Sequence, residues 1–436
     1  MADGFKVLIA GGSLVGLGLA LALEQAGIDY ELFEKGAFAP QLGASIGLHP
    51  QSLRILDQLG VEFDLQEGVV VPLQCRCHFD ENGYCMDEEW VLRHIQRILG
   101  RPILMLERCE ALRVLHGHIA NRAKLHEHNA VLTYEETADG GVMVTTVDGS
   151  THQGDILIGA DGVHSLVRQL MAEQISRRDP ARGAEINHAF TSEYKCVFAV
   201  SRNDPNQPFL PDATIHSLYC DGHSAAVATG VPGLVFWFFF VKTPLTRWPH
   251  CPRFTDADAD ALIEEYASVA PGPGYTIQDL WTTRVKSSLV PLEEGIVPQW
   301  SHGRVLLVGD AVHKVTINAG LGGNLAFEGI AHLANALVAL LKDSPSPSNE
   351  QITAMFGRFE QAHRPRATTV LNMSGQITRY EAQDTWFLRF ASRYISPWVS
   401  DRWKARLYAD FSDAAPYLDF LPLKKKGSVQ GTVKGS

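Results

Sequence analysis

Three small residues at fixed spacing and one acidic residue near the N-terminus could bind a phosphate and a sugar. Gly11, Ser13 and Gly16 follow an apolar run, and Glu34 ends the next β-prone run. A glycine at the first position permits a tight turn, a small residue at the second lets the backbone approach a pyrophosphate, and a glycine at the third lets a helix pack closely on the strand. Free amide groups at the start of that helix would bind the pyrophosphate, and the Glu34 carboxylate would bind a ribose hydroxyl.

A strand, a turn, a helix and a second strand must position these side chains. Residues 5–10 are apolar and β-prone, residues 17–25 have a helix-forming composition, and residues 30–34 form a second β-prone run that ends in the acid. Serine stands at position 13 where the G-x-G-x-x-G pattern has its second glycine, but serine is small and its hydroxyl can donate to a phosphate. An acid at position 34 favours a free 2′-hydroxyl over a 2′-phosphate. The segment predicts a dinucleotide-binding βαβ unit.

Two further acidic residues follow predicted strands. Asp161 follows the apolar run at 155–160, and Asp310 follows the apolar run at 305–308. Ligands of open α/β sheets bind beyond the carboxyl ends of the strands, and a carboxylate there suits a ribose or ribityl hydroxyl. For Asp161 the sequence leaves an alternative open, because Asp161 and Ser165 would also suit a plain strand–turn–helix corner with a good helix cap.

A second glycine-rich helix start lies further along the chain. Gly320, Gly322 and Gly323 precede Asn324, and a helix-forming stretch follows at 325–341. A plain helix cap would not need so many glycines in so few residues. The amides and the positive dipole end of such a helix would attract an electron-rich group, and a reduced flavin, anionic along N1 and the O2 carbonyl, fits that field.

Together these motifs resemble the class A flavin monooxygenases, the para-hydroxybenzoate hydroxylase-like family. The glycine-rich start, the Asp-Gly motif that begins at 161 and the Gly-Asp motif that begins at 309 occur in the family's order over residues 5–345, and Arg108 matches the arginine with which the family braces FAD. The resemblance implies bound FAD, with cofactor-binding roles for Gly11, Ser13, Gly16, Glu34, Lys35, Gly47, Arg108, Asp161, Gly309, Asp310, Gly320, Gly322, Gly323 and Asn324.

A finer resemblance is to the fungal branch that epoxidises or hydroxylates prenylated indoles, indole diterpenes and meroterpenoids. The segment 291–295, Trp300 and Ser13 are among the residues that carry it. Two positions depart from this branch, because Ile317 stands where proline is often found and Lys195 stands where arginine is often found.

The resemblance also implies a mechanism. NADPH or NADH would reduce FAD and leave, which suits a chain with no second dinucleotide fingerprint. Reduced flavin would add O2 at its C4a carbon, and the resulting hydroperoxide would transfer one oxygen atom to an electron-rich double bond or ring. Water must be kept away from such an intermediate. The apolar strand at 235–241 would either wall a dry pocket or be ordinary sheet core, and alternation would send only one set of its side chains toward a pocket.

Lys195 is the candidate catalytic residue. On a strand facing the flavin, its ammonium group would sit near the peroxide or a substrate carbonyl, whereas a solvated lysine on a sheet is the alternative. Tyr194 alternates to the opposite face of the strand and is given no role.

Other functions stay open at this stage. The chain could hydroxylate a phenol of a polyketide or other aromatic substrate, or act as a flavin oxidase or dehydrogenase. A flavin halogenase is disfavoured because the W-x-W-x-I-P signature and the lysine after the glycine turn are missing. A non-enzymatic flavoprotein is disfavoured by the two glycine-rich helix starts.

Composition excludes several partners. A net charge of −11 over 436 residues disfavours a nucleic-acid or anionic-membrane surface. No stretch reaches the roughly 18 uninterrupted apolar residues of a membrane span, and no signal-peptide pattern is present, so we expect a cytoplasmic enzyme. The resemblance implies a small hydrophobic substrate, and we expect a monomer or weak dimer. The seven cysteines lack metal-ligand spacing, so no metal is expected.

The pattern predicts an α/β fold, in which a discontinuous Rossmann-type FAD-binding domain carries an inserted antiparallel β-sheet substrate domain and a C-terminal helical region. A long helix is predicted at 107–127, and hairpin turns at 148–149, 221–222 and 232–233. The predicted domains are 1–71, 101–180 and 286–342 for FAD, 72–100 and 181–285 for substrate, 343–423 for the helical region, and 424–436 for a disordered tail.

Overall fold

A computed structural model of the chain describes residues 4–40, 45–61, 70–138 and 140–423. The strands in these residues are β1 Lys6–Ala10, β2 Asp29–Phe33, β3 Ser45–Leu48, β4 Cys75–Asp80, β5 Cys85–Glu89, β6 Leu104–Glu107, β7 Leu125–His126, β8 Val131–Glu136, β9 Val142–Thr146, β10 Thr151–Gly154, β11 Ile156–Gly159, β12 Thr191–Arg202, β13 Thr214–Cys220, β14 His223–Thr229, β15 Leu234–Arg247, β16 Arg284–Ile296, β17 Ser301–His302, β18 Val305–Leu307 and β19 His313–Lys314. The α-helices are α1 Leu14–Ala26, α2 Pro50–Gln58, α3 Val91–Leu99, α4 Arg108–His118, α5 Leu166–Ser176, α6 Pro180–Asn187, α7 Asp256–Glu265, α8 Ile277–Thr282, α9 Gly322–Asp343, α10 Asn349–Glu381, α11 Trp386–Tyr394 and α12 Asp401–Asp413.

The smaller of the two main sheets has six strands in the order β17-β18-β11-β1-β2-β7. The strands from β18 to β7 are parallel, with Ile9 of β1 opposite Ile158 of β11 and Leu32 of β2. Strands β1 and β11 are almost fully buried, as is usual for strands of a parallel sheet that is covered on both faces. The carboxyl ends of β1, β2, β11 and β18 therefore meet at one edge, and the strands predicted at 155–160 and 305–308 are confirmed.

The larger sheet has eight strands in the order β19-β16-β12-β15-β14-β13-β4-β5. Neighbouring strands are antiparallel, as predicted, except for the parallel pair of β4 and β13. Strand β4 comes from an earlier part of the chain and is not joined to β13 by a hairpin. Strand β16 pairs with β12 along most of its length, so the predicted domain boundary at residue 286 falls inside a strand of this sheet.

Side chains alternate between the two faces of the larger sheet, which we name the front face and the back face. The back face packs against α7 and α8, and carries Val197, Ala199, Trp237, Phe239 and Val241. The front face packs against the turn at 317–320 and the end of α10, and carries Tyr194, Cys196, Phe198, Phe238 and Phe240.

The long helix predicted at 107–127 is wrong beyond its first half. Helix α4 ends at His118, and Ile119 is already extended with φ −68° and ψ 119°. Leu125 and His126 instead form β7, because they pair with Leu32 and Phe33 at the edge of the parallel sheet. Tertiary pairing thus overrides a local helix-forming pattern.

The predicted hairpin turns are confirmed, and the C-terminal region is helical, as expected. Helix α9 is long and apolar enough to cross a membrane, but 72% of its most apolar window is buried in the fold, where it packs against α1, α2 and α10. The tail predicted at 424–436 lies outside the described residues.

Candidate active site

The turn between β1 and α1 has the close approaches that the sequence predicts. Gly11 has φ +106°, and a Cβ atom there would lie 2.4 Å from the Ala160 carbonyl oxygen. A Cβ atom on Gly16 would lie 1.8 Å from the Gly11 carbonyl oxygen. Helix α1 begins without a side-chain cap and without an acidic residue in its first turn, so its first amides face the half-buried turn around Ser13.

Glu34 stands at the carboxyl end of β2 and reaches back to this turn. Its carboxylate accepts hydrogen bonds from the amides of Gly12 at 2.6 Å and Gly36 at 3.1 Å. The side chain is therefore fixed beside the glycine turn, where a ribose of a bound dinucleotide belongs. Lys35 follows it and is exposed.

Arg108, the first residue of α4, reaches the same turn from another part of the chain. Its Nη2 donates to Ser13 Oγ at 2.6 Å. Ser13 does not cap α1 with its side chain, so its hydroxyl hydrogen is available to a phosphate. Arg108 also contributes to the low pKa of Asp310, which places its charge near both acidic and glycine-rich parts of the site.

The Gly-Asp motif lies directly against the start of α1. Gly309 has φ +60°, and a Cβ atom there would lie 2.7 Å from Val15 Cγ2. Lys314 Nζ contacts Asp310 Oδ2 at 2.5 Å. Burial opposes ionisation of Asp310, but the nearby Lys314 charge outweighs it and lowers the pKa of this carboxyl, which is therefore ionised at neutral pH.

Asn324 organises the second glycine-rich helix start. Its side chain is fully buried, accepts from the His49 amide at 2.9 Å, and donates to the carbonyl oxygens of Gly47 at 2.8 Å and Gly320 at 2.7 Å. A Cβ atom on Gly323 would lie 3.0 Å from Ile46 Cδ1. One amide side chain thus joins two segments that are distant in sequence, residues 47–49 and residues 320–324.

The two glycine-rich helix starts converge on one place. The position of a Cβ atom on Gly323 is 3.8 Å from Leu14 Cδ1, the first residue of α1. Like α1, helix α9 begins without a side-chain cap or an acidic residue in its first turn, and Gly322 is half-buried. Two uncapped positive helix ends side by side, flanked by carboxylates, fit an extended molecule with a pyrophosphate at one end and an electron-rich ring at the other.

Asp161 uses its carboxylate to start a helix. Ser165 Oγ donates to its Oδ1 at 2.5 Å, and the amide of Val167 donates to its Oδ2 at 3.1 Å. Burial raises the pKa of this carboxyl, against these hydrogen bonds. The structure therefore shows the alternative that the sequence allowed, a strand–turn–helix corner with a helix cap. The cofactor-binding role of Asp161 stays a prediction.

The structure places Lys195 on the back-face side of the larger sheet, and its catalytic role stays a prediction. Its ammonium group lies 5.8 Å from the centre of the Phe254 ring and close enough to Asp258 to lower the pKa of that carboxyl further. Both partners belong to the back-face side of the larger sheet, away from the glycine-rich starts. Tyr194 instead lies on the front face with Ile317. The predicted alternation of Tyr194 and Lys195 between opposite faces of the strand is confirmed.

The front face forms an apolar wall opposite the second glycine-rich start. Phe198, Phe238 and Val290 are half-buried there and pack around Ile317, which lies just before Gly320. The wall continues to Val200, Phe236 and Met105. On the back face the aromatic strand at 235–241 is therefore ordinary sheet core, and its role as the wall of a dry pocket on the front face stays a prediction.

An ion pair with a buried carboxylate is linked to the residue that follows Ile317. Arg76 Nη2 donates to Glu381 Oε1 at 2.6 Å, and Arg76 Nε donates to Ser217 Oγ at 2.8 Å. The other carboxylate oxygen of Glu381 accepts from Asn318 Nδ2 at 2.7 Å. Because Asn318 follows Ile317 directly, the pair is tied to the turn that leads into the second glycine-rich start.

Comparison with known proteins decides the family. The FAD binding domain family matches residues 4–351 of the chain. The FAD-dependent monooxygenase dpchE of Colletotrichum higginsianum is 35% identical over 430 residues, which cover 97% of this chain and 90% of that protein. The FAD-dependent monooxygenase spyC of Aspergillus fumigatus is 35% identical over 434 residues, which cover 97% of this chain and 89% of that protein. The chain belongs to the FAD-dependent monooxygenases.

Solved structures share the fold of this monooxygenase. Klebsiella pneumoniae HpxO complexed with FAD and uric acid matches with a TM-score of 0.76 and 21% identity, covering 95% of this chain and 98% of that chain. A salicylate hydroxylase substrate complex matches with a TM-score of 0.69 and 18% identity, covering 96% of this chain and all of that chain. The predicted α/β fold is confirmed.

The sequence analysis did not identify two buried residues of the monooxygenase that connect parts of the site. Arg168 is fully buried, donates to the carbonyl oxygens of Ala311 at 2.9 Å and Val163 at 2.7 Å, and so joins two of the motifs. His49 contacts the hydroxyl of Tyr408 and lies against Gly320, and burial lowers its pKa to about 4, so it is neutral. Arg168 follows the Asp-Gly motif closely in sequence, which was a usable signal, whereas nothing local in sequence marks His49.

Proposed function

We propose that this monooxygenase uses NADPH or NADH and O2 to epoxidise or hydroxylate a hydrophobic natural product, a prenylated indole alkaloid or a terpenoid of fungal secondary metabolism. The observation that carries the proposal is the half-buried apolar wall of Phe198, Phe238, Val290 and Ile317 beside the second glycine-rich start. The relatives named above are fungal proteins. The cytoplasm remains the proposed location.

Bound FAD and different residues of the chain have separate roles in this reaction. Bound FAD supplies electron transfer from the nicotinamide and activation of O2. The start of α9 offers free amides to developing negative charge, and the apolar wall excludes water from the reacting atoms. Of the two oxygen atoms one enters the product and the other leaves as water, with the two electrons supplied by the reductant. The ion pair of Arg76 and Glu381 supplies the polar contact that orients a mostly apolar substrate.

The test is oxygen-isotope labelling with the FAD-loaded protein. A panel of prenylated indoles, terpenoids and phenols is incubated under ¹⁸O2 with NADPH or NADH, and the products are analysed by mass spectrometry. We expect one ¹⁸O atom in an alkene-derived product and reductant consumption that depends on substrate. Labelled product from phenols alone would replace the proposal by phenol hydroxylation, and oxidised product without label would indicate an oxidase or dehydrogenase.

Two glycine variants control this experiment. In Gly16→Ala the new Cβ atom would lie 1.8 Å from the Gly11 carbonyl oxygen, so the first cradle cannot form and FAD is lost. In Gly357→Ala the new atom meets nothing within 4 Å, so FAD content and labelling stay unchanged. Equal FAD content in the two purified variants would contradict the assigned cofactor position.

A further inference from the structure

Three side chains that can ligate a metal ion meet at one edge of the parallel sheet. Within the described part of the chain, Glu31, His126 and His152 form the one group of three potential ligands whose ligand atoms all lie within 4.8 Å of one another. Glu31 belongs to β2, His126 to β7 and His152 to β10, and none of them is a predicted cofactor-binding residue. The expectation of no metal rested on cysteine spacing, whereas these residues are distant in sequence and meet only through the fold.

Both imidazoles point at the same carboxylate oxygen. His126 Nε2 lies 3.1 Å and His152 Nδ1 lies 2.5 Å from Glu31 Oε2. Two ligands of a tetrahedral zinc ion, each about 2.1 Å from the metal, lie about 3.4 Å apart, so small side-chain rotations would let one ion enter between them. Two imidazoles and one carboxylate, with water in the remaining position, are a ligand set that zinc adopts in proteins.

The hydrogen bonds behind His152 call for a cation in front of it. Ser150 Oγ donates to the Asp148 carboxylate at 2.7 Å, because an ionised carboxylate can only accept, and so Ser150 Oγ accepts from His152 Nε2 at 3.0 Å. The neutral tautomer that donates from Nε2 carries a lone pair at Nδ1, which here faces the Glu31 oxygen. Two lone pairs at this distance repel each other, so either a second proton on the ring or a metal ion must lie between them.

The two imidazole rings are oriented by packing and remain within reach of solvent. The ring of Phe33 stacks on His126 at 4.8 Å and meets the edge of His152 at 4.7 Å. Fixed rings reduce the entropy that is lost when an ion binds. The side chains of Glu31, His126 and His152 are 18%, 25% and 17% exposed, so an ion with a bound water can enter.

The lysine beside this group leaves the shared oxygen to an ion. Lys6 Nζ donates to the other carboxylate oxygen of Glu31, Oε1, at 2.9 Å. Asp29 lies 3.9 Å from Lys6 and pairs with Lys124 at 2.7 Å, and Asp155 accepts from the Lys6 amide at 2.7 Å. Three carboxylates thus surround two ammonium groups, and the local excess of negative charge favours a bound cation.

We propose that Glu31, His126 and His152 bind one zinc ion, with water as its fourth ligand. Imidazole ligands suit zinc, whereas magnesium and calcium prefer oxygen ligands. Strand β10 belongs to a separate three-stranded sheet, β10-β9-β8, so the ion joins that sheet to the edge of the parallel sheet. The carbonyl oxygen of His126 also accepts from the Glu34 amide at 2.9 Å, so the ion stabilises the strand end that carries the predicted ribose-binding acid.

The experiment measures zinc binding to the FAD-loaded full chain, produced without a histidine tag. Protein stripped with a chelator is dialysed against micromolar zinc chloride, and bound zinc is measured by elemental analysis. The Tm is recorded with zinc chloride and with magnesium chloride. The test variant is His126→Gln/His152→Gln, and the matched control, His188→Gln/His250→Gln, removes two exposed histidines elsewhere on the surface. Bound FAD, measured by absorbance, verifies that each protein is folded.

We expect about one zinc ion per chain in the wild type and the control, and less than about a tenth of that in the test variant, which retains only one of the three protein ligands. Zinc should raise the Tm of the wild type by about 2 °C or more, and magnesium should not. Ser150→Ala keeps all three ligands but loses the acceptor behind His152, so it should bind zinc about tenfold more weakly.

Three outcomes would overturn the proposal. Wild type that binds no zinc would assign the gap between His152 and Glu31 to a proton. Equal zinc content in the test variant and the control would place the ion elsewhere on the surface. An equal rise in Tm with magnesium would indicate general binding of cations to an acidic protein.

Discussion

The two faces of the larger sheet are built from the same two strands, but their aromatic side chains are buried to different extents. On the back face Trp237 and Phe239 are fully buried, and Trp237 Nε1 donates to Ser201 Oγ at 2.8 Å. On the front face Phe198 and Phe238 remain half-buried around Ile317. Side chains of one chemical type therefore stabilise the fold on one side and leave an incompletely packed wall on the other. The difference lies in what covers each face, not in residue type.

The sharpest test of this difference is Trp237→Ala. It removes a fully buried tryptophan of the back-face core and leaves the Ser201 hydroxyl without that donor, so we expect a loss of about 3–5 kcal/mol in the free energy of unfolding. Urea unfolding of the FAD-loaded protein measures it. A loss below about 1 kcal/mol would show that the back face is as loosely packed as the front.

Phe238→Ala is the matched change on the front face. It should cost only about 1–2 kcal/mol of unfolding free energy, because Phe238 is already half-buried. We expect its main effect on coupling, with more reductant consumed per product and more hydrogen peroxide released, because water gains access to the reacting atoms. Unchanged coupling in the presence of substrate would remove Phe238 from the wall.

His216, on the back face, makes the free energy of unfolding depend on pH. It contacts the Tyr275 hydroxyl at 3.0 Å, and burial lowers its pKa from 6.5 to about 4. Between these values the unfolded chain holds a proton that the folded chain does not, so stability falls as the pH is lowered through this interval. His216→Asn should reduce the slope of unfolding free energy against pH by up to roughly 1.4 kcal/mol per unit. An unchanged slope would show that His216 is protonated in the fold.

Lys195→Met should have the smallest effect. Because the ammonium group lies beside Phe254 on the back-face side, we expect kcat to change by less than about twofold. Steady-state kinetics with saturating substrate measures kcat. The comparison is Phe198→Ala, which lies three residues along the same strand and on the front face. A large fall in kcat for Lys195→Met alone would restore the role that the sequence predicted.

Sequence reasoning was strongest where spacing alone determines geometry. The turn of Gly11 and Gly16, the acid at Glu34 and the second start at Gly323 occupy the expected positions because a βαβ turn tolerates few alternatives. Sequence reasoning was weakest where the prediction required knowing which face of the sheet a side chain occupies. Period-two alternation separated Tyr194 from Lys195 but carries no information on which face meets the cofactor, since that depends on how the whole sheet is placed.

Contacts between segments that are distant in sequence also could not be predicted. The short strand β7 exists because β2 offers it a partner, and a local helix pattern could not reveal that partner.

The side chain of Asn324 has a consequence for biosynthesis. Through its hydrogen bonds to the backbone at 47, 49 and 320, it joins the second glycine-rich helix start to a segment near the N-terminus. A nascent chain that has emerged only as far as the larger sheet holds the pyrophosphate cradle but lacks the helix start that faces the ring. Because FAD binding needs both helix starts, we expect the flavin to bind only after more than 300 residues have left the ribosome, so that a yellow colour would indicate a complete binding site.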